Sequence, residues 1–235
     1  MTTLTSGAFS TTSASELICV TSAQQGSGLT GVTVTDSGIS KSVGWTLIKS
    51  CTHSTRTYAA LHCAVTSALV SAQTVTVTCA GSPTVGSSVL EVHPFFSSQL
   101  ALPTNSVCAT GASGVAAISI TPSGAGSGIL MAGSNGANNT NATPITSPYF
   151  SYIGPQRSLF SPAGNAWLQA FSAQVASALT AGTTAPTITD WALAGMEVMV
   201  SDPSSSSVPS RSRTGSGAWL EPSPPLTPAM LAQEQ

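Results

Sequence analysis

Charge is what this sequence has least of. Only 6% of its 235 residues are Asp, Glu, Lys or Arg, against roughly 25% in an average soluble domain. Ser, Thr, Gly and Ala stand where Lys and Glu usually do. A free protein uses mixed surface charge to stay dispersed, whereas a face of hydroxyls loses little when a neighbour covers it, because few charges must be desolvated. The composition therefore suits a surface that spends its life in contact or outside cells. A genome biased toward Ala, Thr, Gly and Ser codons would produce the same figures, and the two readings are compatible.

Other shortages narrow the function. The six cations Lys41, Lys49, Arg56, Arg157, Arg211 and Arg213 are scattered, so no basic stripe exists for a phosphate backbone and nucleic acid is not an expected partner. No apolar run reaches the roughly 18 residues of a membrane span, so no membrane is expected. Residues 1–15 lack a basic start and an apolar core, which argues against a secretory signal and predicts folding in a cytoplasm. Five cysteines are an odd number, in a chain long enough to bury a core without staples. Cys19 and Cys79 sit in apolar runs and read as small buried hydrophobes.

Catalytic patterns are missing as well. The eight acids form no close pair, the Gly-x-Ser-x-Gly elbow is absent, and the glycine run at 124–128 lacks the Lys-Ser/Thr ending of a phosphate loop. The chain is therefore expected not to be an enzyme and to need no cofactor. Plentiful serines keep a Ser/His/Asp set formally open. Cys51, His53, His62 and Cys63 would approach one another if 45–51 and 57–65 formed a hairpin, and zinc takes such ligands. However, His62 and Cys63 are consecutive in a strand and point to opposite faces, so at most three could converge. The plainer reading is two part-exposed histidines and two packed cysteines, and no metal is expected.

What the sequence does have is strand pattern. Residues 16–21 are apolar on both faces, like a central strand. Val32 and Val34 alternate with Thr33 and Thr35, and Val75, Val77 and Cys79 alternate with threonines. Runs at 45–51, 57–65, 88–93, 115–120, 129–132 and 190–201 continue the series. Period-two alternation of β-branched residues at this spacing predicts an all-β sandwich or barrel. Residues 165–180 fit either a helix or a strand, and the strand reading is preferred. From 202 onward Ser and Pro dominate, so the sequence divides into an extended segment at 1–14, a β-domain at 15–201 and an extended arm at 202–235 that cannot build a core. Trp219 and Leu220 are apolar points by which such an arm could clasp a neighbour; the alternative is a loose tail.

The stretch 32–92 resembles a β-sandwich domain of phage structural proteins and bacterial surface proteins. The residues that carry it are Val32-Thr33-Val34-Thr35-Asp36, Gly44-Trp45-Thr46-Leu47-Ile48, the strand from Tyr58 to Val65, the Thr74–Thr78 alternation and Ser88-Val89-Leu90-Glu91-Val92. The run Trp191 to Val200 looks like the closing strand, and the likeness spans about two thirds of the chain. The resemblance implies an antiparallel two-sheet, jelly-roll-like sandwich with a structural or adhesive role, and no catalytic residues. It places the protein in a virion made in a host cytoplasm, as a capsid decoration or cement protein. Its expected partners are the major capsid protein or other virion proteins, and copies of itself. The alternative is a tail-associated or surface module that holds a host glycan. The segment 148–167 gathers Tyr149, Phe150, Tyr152, Arg157, Phe160 and Trp167, a mixture suited to closing the sandwich, to a protein contact or to sugar rings. With Trp219 and Leu220, the first five of these are the interface candidates. His93 precedes Pro94-Phe95-Phe96, whose rings are expected to anchor a loop in the core.

Overall fold

The computed structural model describes residues 2–11, 14, 16–37, 44–95, 101–136, 143–145, 147–152, 157–161, 164–185 and 190–198. Every regular element among them is a strand. In chain order these are β1 (Thr2–Thr5), β2 (Leu17–Asp36), β3 (Thr46–His53), β4 (Thr57–Val65), β5 (Val75–Phe95), β6 (Ser106–Gly111) and β7 (Ala117–Ile120). They continue with β8 (Gly128–Asn135), β9 (Thr143–Pro144), β10 (Phe150–Tyr152), β11 (Arg157–Ser161), β12 (Gly164–Ala173), β13 (Leu179–Ala185) and β14 (Trp191–Val198). Contacts divide the chain into a compact unit, Met1–Asp202, and a second unit, Pro203–Gln235. The second unit, with Trp219, Leu220 and the arm reading, lies outside the described residues.

The expected all-β antiparallel sandwich is present, with more layers than the two foreseen. One sheet has the order β1-β5-β2-β4-β3, a second β10-β12-β8-β14-β6 with β11 also on β12, and a third β7-β13-β9. The first sheet uses only residues before 96, and the second only residues after 105. A jelly roll passes back and forth between its sheets. Here the chain finishes the first sheet before starting the second and alternates only between the second and third, so the strand order of the two main sheets lends the jelly-roll expectation no support.

Alternation explains the stacking. Leu17, Cys19, Ala23, Ala59, Leu61 and Cys63 of the first sheet face Leu130, Ala132, Leu168, Ala194, Met196 and Val198 of the second. The intervening residues of the second sheet, including Ile129, Met131, Trp167, Phe171, Trp191 and Leu193, point the other way and pack on Ile118, Ile120, Leu179 and Ala181 of the third. The second sheet is thus covered on both faces, and every residue of β8 and β14 is buried. The preferred strand reading of 165–180 agrees with β12 as far as Ala173; 174–178 is not strand, and Leu179 and Thr180 open β13. The face expected there, Trp167, Phe171, Ala173 and Val175, is the one that meets the third sheet.

The first sheet supplies a further layer from its own strands. The sequence suggests separate strands at 16–21 and 32–35, and at 74–79 and 88–93; the structure joins each pair into one long strand, β2 and β5. Val20 and Val34 nevertheless share a cluster with Val75 and Val77. Fourteen residues of straight strand would hold Val20 and Val34 about 45 Å apart, so the β2–β5 ribbon folds back over itself. The pairing register shifts between Gln24 and Gly26 and between Ser27 and Gly31. Gly28 and Gly81 take φ of 62° and 112° at this bend, a region open to glycine without steric penalty. The Gly28 carbonyl lies where a Cβ on Gly81 would stand. β1 pairs with the folded-back part of β5, so part of the segment expected to be merely extended belongs to the sheet.

The cysteine reading needs correction. Cys19 bonds to Cys63, its cross-strand neighbour, and Cys51 bonds to Cys108. Cys19 is buried as expected, but it is not a free thiol; only Cys79 is free and buried. An odd count concealed two pairs and a remainder. The second disulfide ties β3 to β6, the edge strands of two different sheets.

Candidate functional site

Four of the sequence-predicted interface residues, Phe150, Tyr152, Arg157 and Phe160, fall on one edge of the second sheet. The segment expected to be a loop is mostly strand: β10 and β11 both pair with β12. Phe150 lies opposite Ala173, Tyr152 opposite Phe171, Arg157 opposite Leu168 and Phe160 opposite Asn165. Backbone pairing thus brings these four to a single strand edge. Tyr149 stands beside them with about half its surface exposed. Trp167, at the end of the same segment, has a different place. It is buried between the second and third sheets, and its indole lies where a Cβ on Gly133 would stand. Trp167 is core, so the contact group loses one ring. At the other aromatic motif, Phe95 pairs with Leu17 in the ladder, and Phe96 lies outside the described residues.

The proposed Cys-His cluster does not assemble, although its hairpin forms. The register puts His53 opposite Thr57 and Cys51 opposite Ala59, but His62 opposite Leu47 and Cys63 opposite Thr46. The two pairs occupy opposite ends of the hairpin, and both cysteines are spent in disulfides. Among the described residues no three metal-ligating side chains come together. His62 is buried on the face beneath the folded ribbon, and burial pushes its pKa down to about 4. Ser22 Oγ, both amide atoms of Gln24, Trp45 Nε1 and His62 Nδ1 have no hydrogen-bond partner among the described residues. The register and alternation put Ser22, Gln24 and His62 on that one face.

Two polar groupings emerge that sequence spacing did not reveal. At the β3–β4 turn, Ser54 and Thr55 both adopt left-handed φ, 47° and 54°, which brings His53 and Arg56 to one side. His53 Nδ1 meets Asp190 Oδ1 at 3.1 Å. Arg56 donates to Asp190 Oδ2 at 3.3 Å and to the Gly136 carbonyl at 3.3 Å. Gln25 Nε2 donates to the same carbonyl at 3.4 Å. This group bolts the first-sheet hairpin to the ends of β8 and β14. A His–Asp contact is half of a hydrolytic relay. Here Arg56 takes the second carboxylate oxygen, and no described hydroxyl is bonded to the other His53 nitrogen.

The second grouping surrounds Glu197, almost wholly buried near the end of β14. Its Oε1 accepts the Ser123 N–H at 2.7 Å and the Ser123 hydroxyl at 2.6 Å, and its Oε2 accepts Asn105 Nδ2 at 2.7 Å. Burial works to raise this carboxyl. Hydrogen bonds from Ser123, Ser127 and Asn105 outweigh it, so the group sits below its ordinary value. A pocket of about 170 Å³ opens beside it, lined by residues including Leu102, Pro103 and Asn105. That is below the roughly 300–1,000 Å³ of small-molecule sites. The carboxylate binds two connections to the end of β14, a strapping role. Neither grouping was legible from spacing, because each carboxylate lies far in sequence from its partners: Asp190 is 137 residues from His53 and 134 from Arg56, and Glu197 is 92 from Asn105 and 74 from Ser123.

No family model, curated protein or solved structure matches this chain. Its function must therefore be argued from its own chemistry.

Proposed function

We propose that this chain is a non-enzymatic structural component of a bacteriophage particle, a capsid decoration or cement protein that acts by protein–protein contact. The observation that carries the reading is a charge-poor surface on a heavily braced β-stack. Six per cent charge leaves hydroxyls and small side chains to meet neighbours, so covering them costs little desolvation. Stacked sheets joined by an inter-sheet disulfide form a body that loses little freedom on docking, which favours association. Disulfides persist on extracellular and virion surfaces, which fits a protein made in a cytoplasm and oxidised in the released particle. The partners would be the major capsid protein, other virion proteins and further copies of the chain, with residues 202–235 as a clasping arm.

Quantitative mass spectrometry of purified particles tests the reading. Hundreds of copies per particle are expected, and deletion of residues 202–235 should leave particles that release their contents at lower temperature. Absence of the chain from particles would sink it. A few copies at a tail tip would favour the second reading, a host-glycan adhesion module. The exposed Tyr149 at the β10–β12 edge supports that alternative, which expects glycan-array binding lost in Tyr149→Ala.

A further inference from the structure

We infer that β1 is a docking edge for a second copy of this chain, paired antiparallel through its own β1 about a two-fold axis at Leu4. β1 ends its sheet, and among the described residues no strand lies on its far side. Its register with β5 is Thr2 to Cys79, Thr3 to Thr78, Leu4 to Val77 and Thr5 to Thr76. The next residue, Ser6, donates its N–H to the Val75 carbonyl at 2.9 Å. In an antiparallel ladder, successive residues turn their backbone groups to opposite sides. Leu4 therefore faces β5, and Thr3 and Thr5 aim their N–H and C=O groups outward. The other side of β5 agrees with this phase: Ser37 donates to the Thr74 carbonyl at 3.0 Å, so even-numbered residues of β5 there serve β2 and odd-numbered ones serve β1. Thr3 and Thr5 are also exposed.

Exposed edges are normally guarded by charge, proline, bulges or covering elements. The opposite edge of the same sheet, β3, is guarded: a bulge lies between Leu47 and Lys49, the lysine adds charge, and Cys51 is tied to β6. The run Thr2-Thr3-Leu4-Thr5 has no charge, proline or bulge, and among the described residues no covering element; its shortness is its one guard. A second copy is the fitting occupant because an uncharged strand meets its own image without like-charge repulsion, and a two-fold contact of this kind closes at two. Centring on Leu4 sets Thr3 opposite Thr5 of the other copy and uses all four outward groups of each edge. So short a ladder makes a weak contact, with a dissociation constant on the order of 100 µM. The inference gives the assembly reading a homotypic contact and rests on that reading for its purpose; on a particle, many such contacts would reinforce one another.

Sedimentation of the purified full chain tests it without particles. Wild type should self-associate reversibly. Thr5→Pro, which removes an outward N–H and no β1–β5 backbone bond, and gives up only the exposed Thr5–Thr76 hydroxyl contact at 3.1 Å, should stay monomeric with unchanged circular dichroism. Should that variant misfold, Leu4→Cys decides the matter: facing residues at a non-hydrogen-bonded pair lie within disulfide reach, so mild oxidation should yield a dimer whose peptide map is linked through position 4. A wild-type monomer up to about 1 mM, continued association of folded Thr5→Pro, or linkage elsewhere would overturn the inference. A foreign strand captured by a monomer would overturn the choice of occupant. Failure here with the chain still abundant on particles leaves the assembly reading standing. Self-association of a chain absent from particles does the reverse.

Discussion

Gly81 shows how much a single residue can carry. Its φ of 112° and the Gly28 carbonyl at 2.5 Å from a would-be Cβ leave no room for a side chain. Gly81→Ala should destabilise the fold by about 2 kcal/mol or more, visible as a lowered thermal midpoint. His62 makes a pH prediction. Its folded pKa of about 4 lies below the ordinary 6.5, so between these values the unfolded chain binds a proton that the native state refuses. Stability should therefore fall as pH drops from about 6.5 to 4, by about 3 kcal/mol, and flatten below. His62→Gln should remove that slope in urea unfolding curves; an unchanged slope would count against burial as its source. Cys79, pushed up to about 11 chiefly by burial, should resist alkylation until the protein unfolds.

Strands were legible where both side-chain type and alternation agreed. The run at 57–65 corresponds to β4 residue for residue. The apolar character of both faces in the closing run, Trp191 and Leu193 against Met196 and Val198, already carried the signal of double coverage that the third sheet supplies. β6 and all but the first two residues of β13 were not read, because Ser106–Gly111 and Leu179–Ala185 are built largely of small residues whose burial depends on neighbours distant in sequence. The continuity of β2 and β5 was hidden for a different reason: the glycines that look like turns are bends within paired strands. Disulfide partners are likewise set by sheet packing, which spacing does not encode. The Cys51–Cys108 tie closes a separation of 57 residues, for which chain entropy suggests about 4 kcal/mol of stabilisation. The double variant Cys51→Ser, Cys108→Ser should therefore unfold at distinctly lower denaturant concentration, with little change in circular dichroism beforehand. Equal midpoints would show that the sheets hold together without it.

At the scale of the whole molecule, the candidate contacts collect on strand edges, while the faces of the second sheet are consumed by packing. The aromatic edge at β12 and the bare edge at β1 belong to different sheets, so the molecule has two places at which neighbours could meet it. The division of the chain between its sheets also bears on how the protein comes into being. All residues of the first sheet emerge from the ribosome before any strand of the second does. The folded ribbon can shield the outer side of that sheet at once, but Leu17, Cys19, Leu61 and Cys63 await Leu130, Leu168 and Met196. A nascent chain of which residues up to 95 have emerged would present that bare apolar face to chaperones, and the later half would have to displace them as it followed.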